Sequence, residues 1–235
     1  MKAILFDLDG TLLPMDNDHF TEVYFRYLAK TAYGWGLTDS EKLIRAVWKG
    51  VGAMVQNDGS QTNDKAFWQV FQDTMQCDLT GILDKFTVFY DTEFHNAKAA
   101  TGEAPLAKEV VRAAREKADL VLLATNPLFP MNADEARLSW IGLTAADFDD
   151  VTDYETCSFC KPNPLYYREL LDKWHLSPEE CIMIGNDMDE DILAAEKAGI
   201  RSWLLNDNVI NRRSVPVTCE QGSYQELLDY IRAME

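Results

Sequence analysis

The sequence predicts an α/β fold, a doubly wound parallel sheet with an inserted helical cap domain. Two observations predict it. From about residue 105 onward, short apolar runs alternate with amphipathic segments, whereas between about residues 15 and 100 apolar residues recur at helical spacing only. Strands that alternate with helices in this way form parallel sheets covered on both faces. We therefore predict an α/β core of residues 1–14 and 101–235 and a helical cap of residues 15–100.

Local signals predict the core elements in chain order. Residues 2–6 form an apolar run that stops at Asp9 and Gly10, which is typical of a buried strand leading into a loop. The later predicted elements are a helix over 105–117, a strand over 119–124, helices over 131–140 and 164–174, a strand over 181–184, a helix over 189–198 closed by Gly199, and a strand over 200–205. Two capping boxes, Ser177 with Glu180 and Ser223 with Glu226, predict further helix starts.

The insertion is rich in aromatic residues. It contains 14 of the 26 aromatic side chains in the chain, many of them in helical patterns such as 20–32 and 41–51. Large apolar side chains at this spacing pack against one another more often than against a ligand. We therefore expect these residues to form a small core within the cap.

Composition narrows the class of protein. The 235 residues are 47% apolar and 26% charged, which is typical of a folded globular chain. The formal net charge of −17 repels nucleic acid and anionic membrane surfaces, and no run of Lys and Arg offsets it. We therefore expect neither nucleic acid nor a membrane as a partner.

The N-terminus and the cysteines indicate a cytoplasmic protein. Asp7 and Asp9 interrupt the first apolar stretch before it reaches the length of a signal or membrane-spanning segment. The five cysteines, an odd number, are typical of reduced thiols. Cys157 and Cys160 form a C-x-x-C pair, but no second pair follows, so a zinc or redox site is not favoured.

The first chemical motif follows the first strand and reads Asp7-Leu8-Asp9-Gly10-Thr11. Side chains two residues apart in an extended segment point to the same side, so the two carboxylates lie together and Leu8 points into the core. Gly10 permits a sharp turn after the acids, and Thr11 is interpreted as a cap for the segment after it. A pattern this specific seldom occurs by chance.

Further polar residues follow later strands or precede helices. Thr125 and Asn126 come after the strand over 119–124, where they either offer a hydroxyl and an amide to an anion or cap a helix. Lys161 lies just ahead of the helix over 164–174, and a cation beside a helix N-terminus suits a phosphate.

The last motif runs from Gly185 to Asp191 and contains four acids, which repel one another unless a cation or water separates them or some cap the following helix. Asp189 and Glu190 are interpreted as charges in the first turn of that helix, whereas Asp187 and Asp191 are spaced to share one face. Because ligands bind beyond the carboxyl ends of parallel strands, all these motifs are expected to form one site.

This order of motifs resembles the haloacid dehalogenase superfamily, whose phosphatases carry D-x-D-G-T, then Ser or Thr, then Lys, then a Gly-Asp-centred acidic motif. The residues that carry the resemblance are Asp7, Asp9, Gly10, Thr11, Thr125, Lys161 and the segment Gly185 to Asp191. The resemblance implies a Rossmann-like core, and the position of the insertion resembles the first type of cap in the family.

The resemblance implies a magnesium-dependent phosphohydrolase that forms an aspartyl phosphate. Asp7 would attack phosphorus, and Asp9 would protonate the leaving oxygen and then activate water. Mg²⁺ would be bound by Asp7, by the backbone carbonyl of Asp9 and by the acidic motif. The residues implied for binding the phosphate are Thr125, Asn126, Lys161 and Gly10.

The acidic motif departs from the family pattern, in which an Asp directly follows the Gly. If Asp191 marks the register, Asn186 occupies that position. An Asn offers Mg²⁺ a carbonyl oxygen but no charge. Either Asn186 is a weaker ligand or Asp187 replaces it, and we favour Asp187. Asp191 is the third candidate ligand of this motif.

Three alternative functions stay open: a sugar phosphomutase, a phosphonatase, and a catalytically weak protein that binds phosphate and metal. Asp9 argues against a dehalogenase, which has no leaving oxygen to protonate. The long insertion argues against a signalling receiver domain, because such a switch has no use for a cap. A cap that closes over the site favours a small phosphorylated metabolite as substrate, and we expect a monomer or a homodimer.

Overall fold

The computed structural model describes residues 1–234, and its centre is a parallel sheet of six strands in the order β3-β2-β1-β4-β5-β6. The strands are β1 Ala3–Phe6, β2 Leu120–Leu123, β3 Asp150–Val151, β4 Cys181–Gly185, β5 Arg201–Leu205 and β6 Glu220–Gly222. In β1, Phe6 pairs with Leu123 on one side and Ile184 on the other. This sheet confirms the predicted α/β fold class.

Nine α-helices accompany the sheet. They are α1 Asn17–Tyr33, α2 Ser40–Val55, α3 Asn63–Met75, α4 Ile82–Asp91, α5 Ala107–Lys117, α6 Met131–Trp140, α7 Pro164–Trp174, α8 Ala194–Lys197 and α9 Tyr224–Ala233, all within residues 1–234. Short 3₁₀ turns cover Glu93–Ala100, Ala145–Asp147, Pro178–Glu180 and Asn206–Asn208. No helix in this part of the chain is long and apolar enough to cross a membrane.

Helices cover both faces of the sheet because β1 is apolar on both sides. Ile4 and Phe6 pack into a cluster with residues of α5 and α9, whereas Ala3 and Leu5 pack into a second cluster with α7 and α8. All four residues of β1 are buried. The strand is therefore the centre of the sheet, as expected for a near-continuous apolar run.

The structure corrects several predicted elements. The strands β3 and β6 were not predicted, because neither contains an apolar run. The capping box predicted at Ser177 is wrong: only a 3₁₀ turn follows, and the Ser177 side chain caps nothing in it. The box at Ser223 is confirmed. The helix predicted over 189–198 begins as a π-helical turn, Met188–Leu193, in which the Ile192 N–H donates to the Asp187 carbonyl.

The helices α1 to α4 lie between β1 and β2 in the chain and share an aromatic cluster. Phe71, Phe89 and Phe94 are at its fully buried centre. The cluster also includes residues from outside 15–100, among them Ala133 and Tyr154, so the predicted core is present but is not confined to the insertion. The segment joins the rest of the molecule through two adjacent linkers, in which Met15 pairs with Thr101 and the Gly102 N–H donates to the Pro14 carbonyl over 2.7 Å. The division into a core of 1–14 and 101–235 and a cap of 15–100 remains our proposal.

Candidate active site

The carboxyl ends of β1, β2 and β4 meet at one edge of the sheet, next to a cavity of about 230 Å³. Residues at the edge of the sheet and residues of α1 to α4 line this cavity. The predicted site residues among them are Asp7, Asp9, Thr125, Asn126, Asn186, Asp187 and Asp191. Lys161 and Gly10 lie just behind this lining and contact residues in it. The structure therefore brings together all the site residues predicted from the sequence.

Lys161 links the first and last motifs. Its Nζ lies 3.0 Å from Asp7 Oδ1 and 2.7 Å from Asp191 Oδ1, and the lysine is 1% exposed. Burial disfavours the lysine cation, but Asp191 and Asp7 outweigh this and raise the pKa of Lys161 well above its usual range. Burial, followed by repulsion from Asp7, raises the pKa of Asp191 to about 6. The ammonium group thus holds two buried carboxylates together.

Thr11 links Asp7 to Asn186. Its hydroxyl lies 3.1 Å from Asp7 Oδ2 and 2.9 Å from Asn186 Oδ1. A hydroxyl has one proton and therefore donates to one of these oxygens at a time. The interpretation of Thr11 as a cap is wrong, because Asp16 caps α1. Thr11 instead keeps the Asn186 oxygen close to the Asp7 carboxylate.

Gly10 makes room for Asn186. Its φ of +90° is in the left-handed region, and a Cβ at this position would lie 2.3 Å from Asn186 Nδ2. The Asn186 amide donates to the Asn208 carbonyl over 2.7 Å, which fixes the orientation of the side chain. The glycine is needed for both its backbone conformation and this close approach.

Asp187 is engaged elsewhere. Its Oδ1 accepts from the N–H groups of Asp189 and Glu190 over 2.8 and 3.0 Å, which caps the π-helical turn. Its Oδ2 lies 3.0 Å from Arg212 Nη1. If the Asp187 side chain turned towards Asp7, all three contacts would break. The Asn186 oxygen, by contrast, is already linked to Asp7 through the Thr11 hydroxyl.

Asp9 forms an ion pair that was not predicted from the sequence. The guanidinium of Arg137 contacts Asp9 Oδ2 and also Asp134 Oδ1. Arg137 is fully buried, and its Cζ lies 4.5 Å from the centre of the Phe129 ring. Asp9 Oδ1 is buried and has no hydrogen-bond partner among residues 1–234. The sequence signal was an Asp and an Arg three residues apart in α6.

Thr125 and Asn126 are held by different groups. The Thr125 carbonyl accepts from the Thr152 hydroxyl over 2.7 Å and from the Tyr166 hydroxyl over 2.9 Å. The Asn126 amide donates to Glu190 over 2.9 Å, and burial, followed by repulsion from Asp191, raises the pKa of Glu190 to about 7. These contacts fix the backbone after β2, where Thr125 lines the cavity.

The cysteines lie outside this polar cluster. All five are free thiols. Burial raises the pKa of Cys157 to about 12 and raises that of Cys160 as well, which disfavours the reactive thiolates. Cys160 Sγ lies 3.3 Å from the Asn63 amide nitrogen.

The donor set suits magnesium. Within residues 1–234, no group of three His, Cys, Asp or Glu side chains is arranged to hold a metal ion. A site here would therefore need backbone or amide oxygens, and the Asp9 carbonyl and Asn186 Oδ1 are of that kind. Together with the Asp7 carboxylate they are hard oxygen ligands, the type that Mg²⁺ prefers.

The family of the chain follows from a comparison with known proteins. A family model described as haloacid dehalogenase-like hydrolase matches residues 1–199. The chain belongs to this family. The match confirms the resemblance found in the motifs.

The haloacid dehalogenase-like chain is similar in sequence to known phosphatases. It is 26% identical over 209 residues to the phosphoglycolate phosphatase of Aliivibrio fischeri, covering 87% of this chain and 84% of that protein. A segment of 62 residues is 37% identical to the glyceraldehyde 3-phosphate phosphatase of Methanothermobacter thermautotrophicus, covering 26% of this chain and 27% of that protein. The family and these relatives together indicate a phosphatase.

Solved structures of this family share the fold. The crystal structure of a haloacid dehalogenase (HAD) phosphatase from Thermococcus onnurineus matches with a TM-score of 0.63 at 19% identity. The match covers 100% of this chain and 99% of that phosphatase. A 2-haloacid dehalogenase from Pseudomonas syringae pv. Tomato DC3000 matches with a TM-score of 0.60 at 18% identity. The match covers 99% of this chain and 98% of the dehalogenase. At these identities the likeness concerns the fold alone.

Proposed function

We propose that this protein is a magnesium-dependent phosphohydrolase that acts on a small phosphorylated metabolite through an aspartyl phosphate on Asp7. The observation that carries the proposal is the position of Asp7, held by Lys161 and Thr11 at the cavity with Asp9 beside it. A carboxylate next to a second acid and a fixed cation suits nucleophilic attack on a phosphate ester.

The two acids would take different roles. An Asp7 oxygen would form a bond to phosphorus while the ester bond breaks, and Asp9 would donate a proton to the leaving oxygen. Asp9 would then take a proton from water as the water oxygen attacks phosphorus and the bond to Asp7 breaks. Arg137 holds Asp9 Oδ2, and Oδ1, which is buried without a partner among residues 1–234, would turn towards the cavity to take part in this exchange.

The phosphate would be held by cations and hydrogen-bond donors. Lys161 supplies a buried positive charge, and Thr125 supplies a hydroxyl at the cavity wall. Asn126 lines the cavity beside Thr125, and the backbone turns sharply at Gly10 next to the cavity. Closure of the proposed cap would exclude bulk water from the phosphoenzyme.

Asp7, the backbone carbonyl of Asp9 and Asn186 would hold the magnesium ion. Asp191 forms an ion pair with Lys161 and would act by orienting that lysine. Asp187 would act by capping the π-helical turn that begins at Met188. When bound, the ion would offset the negative charge that the substrate phosphate brings next to Asp7. We propose the cytoplasm as the setting, because five free thiols suit a reducing compartment.

The test measures phosphate release by the purified protein from p-nitrophenyl phosphate and from sugar, nucleotide and carboxylic-acid phosphates. We expect release with Mg²⁺, none with a chelator, and none from Asp7→Asn, while the exposed cap variant Asp18→Asn retains full activity. Activity that survives in Asp7→Asn would exclude Asp7 as the nucleophile. A folded wild-type protein that releases phosphate from no compound would instead favour a mutase, a phosphonatase or a weak binding protein.

A further inference from the structure

The cap side of the cavity is an aromatic wall, which we define as the aromatic side chains of α1 to α4 that line it. All four helices contribute, for example Tyr24 from α1, Trp48 from α2, Trp68 from α3 and Tyr90 from α4. The expectation that the aromatic residues only form a core within the cap is therefore incomplete. Several of them belong to the aromatic cluster and also face the cavity.

The cap side of the cavity offers no charge to a ligand. None of the described residues that line it from α1 to α4 is acidic or basic. Among all described lining residues, Arg212 is the one cation, and it already pairs with Asp187. A carboxylate moved from water into this space would lose its hydration without gaining a charged partner, since the polar lining residues from α1, Asn17 and Thr21, are neutral.

Three of the four polar atoms of the aromatic wall are already hydrogen-bonded. The hydroxyl oxygens of Tyr24 and Tyr90 are 3.1 Å apart, and the Trp68 Nε1–H donates to the Tyr154 hydroxyl over 3.2 Å. Burial raises the pKa of Tyr24 to about 12, so this hydroxyl stays neutral. A sugar with many hydroxyl groups would find few free partners here.

Trp48 is the most exposed part of the wall. Its side chain is 52% exposed, and its ring lies 5.5 Å from the ring of Phe25. A large indole that borders a cavity and is half open to solvent suits a ligand that would cover it.

We propose that the organic group of the substrate is uncharged and apolar and has about the size of one aromatic ring, so that the substrate is an aryl or arylalkyl phosphate. This inference rests on the proposed phosphohydrolase function. The size follows from the volume. An apolar cavity of about 150 Å³ holds benzene, whereas this one has about 230 Å³ and would also hold the phosphate at Asp7, which leaves room for about one ring. It differs from the carboxylate-bearing phosphoglycolate named for the Aliivibrio fischeri relative.

The test compares benzyl phosphate with phosphoglycolate, since both are phosphate esters of primary alcohols. We expect kcat/KM to be about 10- to 100-fold higher for benzyl phosphate, as for burial of one apolar side chain. With 4-carboxybenzyl phosphate, which keeps the ring and adds a charge, the advantage should disappear. A preference for phosphoglycolate would overturn the inference and leave the phosphohydrolase function intact.

Two variants separate the wall from the rest of the cap. Trp48→Ala should raise KM for benzyl phosphate several-fold and leave KM for methyl phosphate unchanged. The control Tyr33→Ala removes an exposed aromatic residue of α1, which is 67% exposed and lies outside the cavity. It should change the KM of neither substrate. Equal effects of Trp48→Ala on both substrates would contradict the role of the wall.

Binding tests the inference even without turnover. Tryptophan fluorescence of the Asp7→Asn variant, titrated with each ester in the presence of Mg²⁺, should show tighter binding of benzyl phosphate than of phosphoglycolate. If no ester is hydrolysed but this order holds, the proposed function fails and the binding preference stands. If phosphoglycolate binds as tightly, the substrate inference fails.

Discussion

Arg137, a fully buried residue of α6, forms an ion pair with Asp9, the second acid of the first motif. The same guanidinium pairs with Asp134, so one cation serves two carboxylates. One Asp9 oxygen is thereby fixed and the other lacks a partner among residues 1–234. The side chain proposed to move the proton is therefore held by a residue that does not line the cavity.

Replacing Arg137 with Met should impair both stability and turnover. Removing one partner of a buried ion pair leaves an uncompensated charge, so we expect the free energy of unfolding to fall by about 3–5 kcal/mol. Because Asp9 would lose its orientation, kcat should fall by at least about tenfold, with KM little changed. Urea unfolding and steady-state kinetics measure the two effects.

A double variant separates the two roles of Arg137. Asp134→Leu combined with Arg137→Met removes one of the stranded carboxylates and should recover part of the lost stability but not of kcat. Full recovery of kcat together with stability would mean that Arg137 acts only through the fold. Arg137→Lys keeps the charge and should lie between wild type and Arg137→Met in both measurements.

Removing the charge of Lys161 should be equally costly. In Lys161→Met, Asp7 and Asp191 remain buried without their shared cation, and we expect a loss of about 3–5 kcal/mol in the free energy of unfolding. Adding Asp191→Asn removes one of the two carboxylate charges and should restore part of the lost free energy of unfolding. If Lys161→Met melts at the wild-type temperature, the two ion pairs contribute little to stability.

The proposed ligands of the Mg²⁺ ion can be distinguished by substitution. Asn186→Asp should tighten Mg²⁺ binding by about tenfold, because a carboxylate replaces an amide oxygen close to Asp7. Asp187→Ala should leave the Mg²⁺ affinity nearly unchanged and cost about 1 kcal/mol of stability through the lost helix cap. Isothermal titration calorimetry with Mg²⁺ measures both. If Asp187→Ala abolishes Mg²⁺ binding and Asn186→Asp leaves the affinity unchanged, Asp187 is the ligand.

Gly10 and Gly36 form a matched pair for a backbone test. Both have φ near +90°, but a Cβ at Gly10 would collide with Asn186, whereas a Cβ at Gly36 would meet nothing within 4 Å. Gly36→Ala should cost only the strain of the left-handed backbone, about 1–2 kcal/mol. Gly10→Ala should cost more and also lower activity by displacing Asn186. Similar activity in both variants would show that Asn186 is not needed in its present position.

The sequence predicted the long or strongly patterned elements and the residues at their ends. The strands β1, β2, β4 and β5 contain apolar runs, and the first motif directly follows β1, so that Asp7 could be placed at the sheet edge in advance. The strands β3 and β6 have only two and three residues and form by pairing with β2 and β5. Such edge strands have no pattern of their own.

Two features of the site depend on tertiary structure. Helical spacing identifies an aromatic residue as buried but does not tell whether it packs against another helix or faces a cavity, so Trp68 could not be assigned. Arg137 is distant from Asp9 in the chain, and an Asp with an Arg three residues later is also common on exposed helices. Only the packing of α6 against the first motif brings these charges together.

The pairing of Met15 with Thr101 and of Gly102 with Pro14 means that the chain leaves the sheet and returns to it at a single point. A short loop joining Pro14 to Gly102 would close the core without moving a strand, since the two residues are already in hydrogen-bond contact. The part of the molecule proposed to select the organic group could thus be exchanged. If the proposed roles hold, the same sheet edge could acquire a new substrate by receiving a different insertion, while Asp7 and Asp9 stay as they are.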